Sequence, residues 1–88
     1  MKALMWNNSG WVEETDPELL RTIFDEKLKL AGFGIINFID YHFEPFGYSA
    51  IWLLSESHFA LHTFPEESQT YYELSSCVQK QFDKFNTV

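Results

Sequence analysis

At 88 residues, with 45% hydrophobic and 18% aromatic side chains, the chain has apolar material for one packed core and reads as a single domain over residues 1–88, outside the range of disordered segments. A domain of this size buries only roughly 60–65% of the surface its unfolded chain exposes, so a partner subunit would add stability. The formal net charge of −7 with no Lys/Arg cluster argues against nucleic acid and anionic membrane as partners, and a lone cysteine rules out an internal disulfide, as expected of a cytoplasmic protein.

Ala3 to Trp6 is a short apolar run, too short for a signal segment, so the chain is expected to be used as translated. It reads as a first strand ending in the turn-rich Asn7-Asn8-Ser9-Gly10. Thr15, Pro17 and Glu18 form a helix start, with Thr15 as cap, and Leu20, Ile23, Phe24, Leu28 and Ala31 follow at helical spacing until Gly32 stops the run. Gly34 to Phe43 is β-branched and aromatic. Glu44-Pro45-Phe46-Gly47 turns it into a second run, Tyr48 to Leu54, and the two read as an antiparallel pair. His58 to Phe64 and Thr70 to Leu74 are further strands, and Val78 to Phe85 has room for two helical turns. The expected fold is α+β, a two-layer sandwich of an antiparallel sheet with helix packed on one face.

Alternation puts His58, Ala60, His62 and Phe64 on one side of their strand and Phe59, Leu61 and Thr63 on the other. Ser57 stands just before this strand and Cys77 follows the next. Read alone, the set has plain explanations: Ser57 a turn residue, His62 a hydrogen-bonded sheet histidine, Cys77 a small buried apolar side chain, Glu66 a solvated carboxylate, Phe43 a core ring. Metal binding through His42, His58 and His62 lacks the spacing of a familiar site, and no metal is expected.

The string Leu54-Ser55-Glu56-Ser57-His58, then His62-Thr63-Phe64-Pro65-Glu66, then Cys77, with Pro45-Phe46-Gly47 and Ser49 upstream, resembles the prokaryotic S-adenosylmethionine decarboxylase family. The resemblance implies a chain that cuts itself between Glu56 and Ser57. Ser57 attacks the Glu56 carbonyl, and elimination and hydrolysis leave a pyruvoyl group on residues 58–88, which takes up the substrate amine as a Schiff base. Ser49 is similar to the serine that hydrogen-bonds the intermediate, His62 to the base of the elimination, and Cys77 to the acid that protonates the substrate carbon. Glu66 is similar to the carboxylate on the ribose hydroxyls and Phe43 to a ring near the adenine, while His58 reads as structural. The implied product is the aminopropyl donor of polyamine (spermidine) synthesis, and the implied assembly is a homodimer.

Two departures matter. Only eleven residues follow Cys77, where the family continues further, so the sheet is expected to be smaller or completed by a partner. Trp6-Asn7-Asn8 also replaces a segment in which the family often presents acids to the substrate. The alternatives are therefore pyruvoyl-dependent decarboxylation of ornithine or arginine, or an unprocessed homologue acting as a binding or regulatory subunit.

Overall fold

In the computed structural model, which describes residues 2–88, the first helix, α1 (Pro17–Leu30), begins where the sequence signals it, but the cap is Asp16. Its Oδ1 accepts the Glu18 N–H at 2.9 Å and the Leu19 N–H at 3.5 Å, leaving Thr15 outside the cap. Pro17 needs no partner at the first helical position, and Lys27 and Lys29 complement the carbonyl end. Gly32, at φ +93°, supplies the left-handed residue that ends the helix. Leu20, Phe24 and Leu28 are buried, whereas Ile23, expected on that stripe, is 49% exposed.

Five strands form one antiparallel sheet: β1 (Trp6–Val12), β2 (Ile35–His42), β3 (Tyr48–Leu54), β4 (Ser57–Phe64) and β5 (Gln69–Ser76), in the order β1-β5-β4-β3-β2. The first strand thus begins only at Trp6, the last residue of the expected Ala3–Trp6, and Asn7-Asn8-Ser9-Gly10 is strand, not turn. Pairing with β5 from Trp6↔Ser76 to Val12↔Thr70 meets its backbone needs along one side. Ser75 also donates to Asn7 Oδ1 at 2.8 Å. The local turn preference of these residues is overridden by partnering at a sheet edge. α1 connects the two edge strands, β1 and β2, across the sheet.

A second helix, α2 (Gln79–Phe85), packs beside α1 on the same face. Between the helices and the sheet lie Trp52, Phe59, Leu61, Leu74 and Phe85, all nearly inaccessible. Phe59 is the hub, its ring centroid 4.8 Å from Phe24, 5.4 Å from Trp52 and 5.6 Å from Phe85. Full burial of such a side chain is worth roughly 1.5–3 kcal/mol. Trp52 also donates its ring N–H to Asp25 at 3.2 Å, and Thr63 Oγ1 accepts the Tyr48 N–H at 2.8 Å. The α+β two-layer arrangement anticipated from the sequence is the one that forms.

Among the described residues, no helix covers the opposite face. Alternation, with a register shift between Ile35 and Asn37, puts Asn37, Ile39 and Tyr41 of β2, Ser49, Ile51 and Leu53 of β3, and His58, Ala60 and His62 of β4 there. Tyr71, Glu73 and Ser75 of β5 and Asn7, Ser9 and Trp11 of β1 complete it. Its β2–β3 half is mostly apolar, through Ile39, Tyr41, Ile51 and Leu53, whereas its β1–β5 half joins polar Asn7, Ser9, Glu73 and Ser75 to the packed rings of Trp11 and Tyr71.

Candidate active site

The turn from β3 to β4 is only Ser55-Glu56, and three segments hold it. Ser55 donates its N–H to Gly34 O at 2.8 Å, at a glycine where a Cβ would collide with the Ser55 side chain. The Glu56 carboxylate accepts from Gly34 N at 3.2 Å and from Gln81 Nε2 at 3.3 Å. The Glu56 main-chain carbonyl accepts the Cys77 N–H at 2.9 Å. A carbonyl polarised by a fixed N–H is open to nucleophilic attack, because the donor also stabilises the oxyanion that attack produces. Ser57 follows at φ +149°, a backbone setting that side-chain-bearing residues adopt at a cost of about 1–3 kcal/mol. Strain thus sits on the downstream side of the Glu56–Ser57 bond and a hydrogen-bonded carbonyl on the upstream side.

Cys77 emerges exposed beside this bond, since Ser57 pairs with Ser76; the plain reading of it as a buried apolar side chain does not hold. Ser49 and His62 face each other across β3 and β4, and Ser49 Oγ lies 2.8 Å from His62 Nδ1. That contact orients the ring and fixes which nitrogen is left for other work. Phe43 and Glu66 belong to the same end of the sheet as this pair. Phe43 is 48% exposed, not a core ring, and packs on Tyr41 at 4.8 Å, while Glu66 lies exposed in the 3-10 turn Pro65–Glu67. His58 is exposed on the open face next to Ser57.

The candidates therefore form two groups. Glu56, Ser57 and Cys77 meet at one end of β4, and Ser49, His62, Phe43 and Glu66 gather at the other. His62 lies five positions along the strand from Ser57, about 16 Å at roughly 3.3 Å per residue. No side chain bridges that distance, so one chain does not bring His62 to its own Ser57. Among the described residues, no three His, Cys, Asp or Glu side chains gather as a metal site, and His42 packs against Tyr48.

Two residues near the site carried no motif. Glu73 is the only acidic side chain that the strands put on the open face among the described residues. It accepts from Tyr71 Oη at 2.9 Å and lines a cleft of about 310 Å³ with Asn7, Ser9, His58 and Ser75. Counting back from Cys77 in steps of two would have found it. Gln81, which reaches Glu56 from α2, gave no such signal, because nothing local ties a residue in one helix to a turn 25 positions earlier.

A family model described as S-adenosylmethionine decarboxylase matches residues 7–86. The chain is 37% identical over 62 residues to the S-adenosylmethionine decarboxylase proenzyme of Prochlorococcus marinus (strain MIT 9313), covering 70% of this chain and 50% of that one. It is 31% identical over 65 residues to the proenzyme of that name from Pyrococcus furiosus, covering 74% and 47%. The chain thus spans about half the length of the curated relatives it matches. In fold it is similar to the crystal structure of the adenosylmethionine decarboxylase from Aquifex aeolicus VF5, with a TM-score of 0.76 at 23% identity over 99% of this chain and 81% of that one. With the family match running from the first strand to the end of the last helix, the chain belongs to the S-adenosylmethionine decarboxylase family.

Proposed function

We propose that this protein is a pyruvoyl-dependent decarboxylase of S-adenosylmethionine, that it makes its cofactor by cutting the Glu56–Ser57 bond, and that each site is shared between two copies of the chain. The observation that carries the reading is the Glu56 carbonyl held by the Cys77 N–H immediately before a strained Ser57. Attack by Ser57 Oγ forms a C–O bond and breaks the C–N bond of the peptide, giving an ester. Elimination releases the Glu56 carboxylate, and water then displaces ammonia from residue 57. These residues fit the group, since the serine to be converted directly follows its acyl donor, whose carbonyl Cys77 holds, and pairs with Ser76 beside that cysteine.

Sharing follows from the separation of the two groups. A two-fold axis crossing β4 near Ala60 would lay two open faces together with their central strands antiparallel. The Ser49–His62 pair of one copy would then stand over Ser57 and Cys77 of the other. With Nδ1–H donated to Ser49 Oγ, His62 Nε2 is free to take the proton lost in the elimination. Ile39, Ile51 and Leu53, between 45% and 68% exposed, supply apolar surface for such a contact.

When present, the pyruvoyl group supplies a carbonyl that draws electrons from the substrate carbon as carbon dioxide leaves. Cys77 then delivers a proton to that carbon, with Glu66 on the ribose and Phe43 beside the base. Removal of the homodimer contact would leave Ser57 without its base.

Intact-mass measurement of aged protein tests the cut: fragments 1–56 and 57–88 are expected, and none from Ser57→Ala. Mixing tests the sharing. Ser57→Ala keeps His62 but cannot be cut, and His62→Ala keeps Ser57 but lacks the base, so neither cleaves alone. Refolded together, they should cleave the His62→Ala chain. If mixing restores nothing while wild-type protein cleaves, the shared site is wrong. Carbon dioxide release from labelled S-adenosylmethionine, set against ornithine and arginine, then decides the substrate. A chain that never cleaves would be the unprocessed homologue instead.

A further inference from the structure

We infer that Gln81 is a positioning residue for the backbone cut, acting through Glu56, so that docking of α2 sets the rate at which the chain processes itself. This rests on the self-cleavage reading and adds to it a residue outside every motif in the sequence.

The turn to be cut is poorly supported by its own residues. Two-residue hairpin turns favour glycine, asparagine or aspartate at positions with positive φ. Here the loop is Ser55-Glu56, and the positive φ falls on Ser57 at +149°. A turn without local support relaxes unless tertiary contacts hold it. Glu56 has three such contacts: Gly34 N–H and Gln81 Nε2 on its carboxylate oxygens, and Cys77 N–H on its carbonyl. The first two fix the side chain, and through it the plane of the carbonyl that Ser57 must attack. Loss of either lets Glu56 rotate and the scissile peptide leave the attack geometry.

Gln81 is the one of these contacts made by a side chain, hence the one that depends on sequence. Its Nε2 also donates to Gly32 O at 2.7 Å, so a single amide ties the end of α1 to the cleavage turn. Its Oε1 is buried without a partner. α2 is in turn seated by Phe85, 1% exposed, and by the 2.7 Å bond from Asn8 to Asn86, so the clamp closes only when the C-terminal helix has docked. The cut would then wait until the rest of the sheet is in place.

The test is a cleavage time course by intact mass, with melting temperatures recorded on the same uncut samples. Gln81→Ala should slow cleavage about tenfold, the loss of one hydrogen bond to a charged acceptor. Gln81→Glu keeps the size, sets two carboxylates together and should slow it more. Lys80→Ala, on the exposed side of the same helix, should leave the rate unchanged. Because the effect runs through Glu56, Gln81→Ala should cost nothing further in a Glu56→Ala background, whereas general loosening would slow both backgrounds alike. The inference is overturned if wild-type protein cleaves and both Gln81 variants keep pace with it. It is overturned equally if the slowing matches the loss of folded protein or persists in the Glu56→Ala background. Wild-type protein that never cleaves removes the self-cleavage reading itself, and this inference with it.

Discussion

The two faces of the sheet are built from the same five strands and similar side chains, yet they are finished differently. On one, Trp52, Phe59, Leu61 and Leu74 are covered by α1 and α2 and are at most 1% exposed. On the other, Ile39, Tyr41 and Leu53 are each more than half exposed, and every polar residue proposed for chemistry, apart from the cleavage turn, lies on that face or at its end. The chain completes one core and leaves the other surface to be completed. Substitutions on the first face should therefore register as stability, and on the second as chemistry or association.

The largest effect under that division should come from Cys77. Cys77→Ala should still cut itself, because the N–H that holds the Glu56 carbonyl belongs to the main chain. Turnover, measured as carbon dioxide release, should nevertheless fall on the order of a hundred- to ten-thousand-fold with melting unchanged. A lowered melting temperature with normal turnover would make it a structural residue and blur the contrast. Phe59→Ala should do the opposite, costing about 3–5 kcal/mol in denaturant unfolding by emptying the hub of the core. Leu53→Ala should move unfolding of the separated chain by no more than about 0.5 kcal/mol. In sedimentation at matched concentration it should shift the protein toward monomer. If wild-type protein shows no self-association at any concentration, the open face has some other cover.

The smallest effect belongs to Asp25. The hydrogen bond from Lys29 holds its carboxyl below the usual value of 3.8, against the opposing pull of burial, and the Trp52 N–H adds to the lowering. A depressed folded pKa lends stability that is full above the unfolded value and is lost as pH falls through the lower folded one. For a partly exposed i,i+4 pair this is about 0.3–0.5 kcal/mol. Thermal melts of wild type and Asp25→Asn should differ slightly at neutral pH and converge below pH 3.8.

Much of this was legible in the residues. Pro17-Glu18 and Gly32 bracket α1, though the cap is Asp16 and not the expected Thr15, and the alternation from His58 to Phe64 sorts core from open face because a strand has a fixed period of two. Asn7 to Gly10 misled because turn preference is a local energy, while an edge strand is decided by the partner it meets. The motif gave the candidate residues but not their grouping. A linear pattern sets Ser57 and His62 five places apart, and only the knowledge that those five places are extended strand turns the interval into two separate ends. Gln81 lay beyond reach, since its contact with Glu56 depends on where α2 docks.

The strand order has one more consequence. A cut between Glu56 and Ser57 would leave β1, β2 and β3 in one piece and β4 and β5 in the other, yet the sheet runs β1-β5-β4-β3-β2. The smaller piece is a hairpin slotted between two strands of the larger, gripped on both flanks by ladders from Trp6↔Ser76 on one side and Leu54↔Ser57 on the other. Its Phe59 and Phe85 are also wedged beneath the helix of the larger piece. Severing the backbone therefore releases nothing: the halves are interlocked like a tongue in a groove and part only under conditions that unfold the whole.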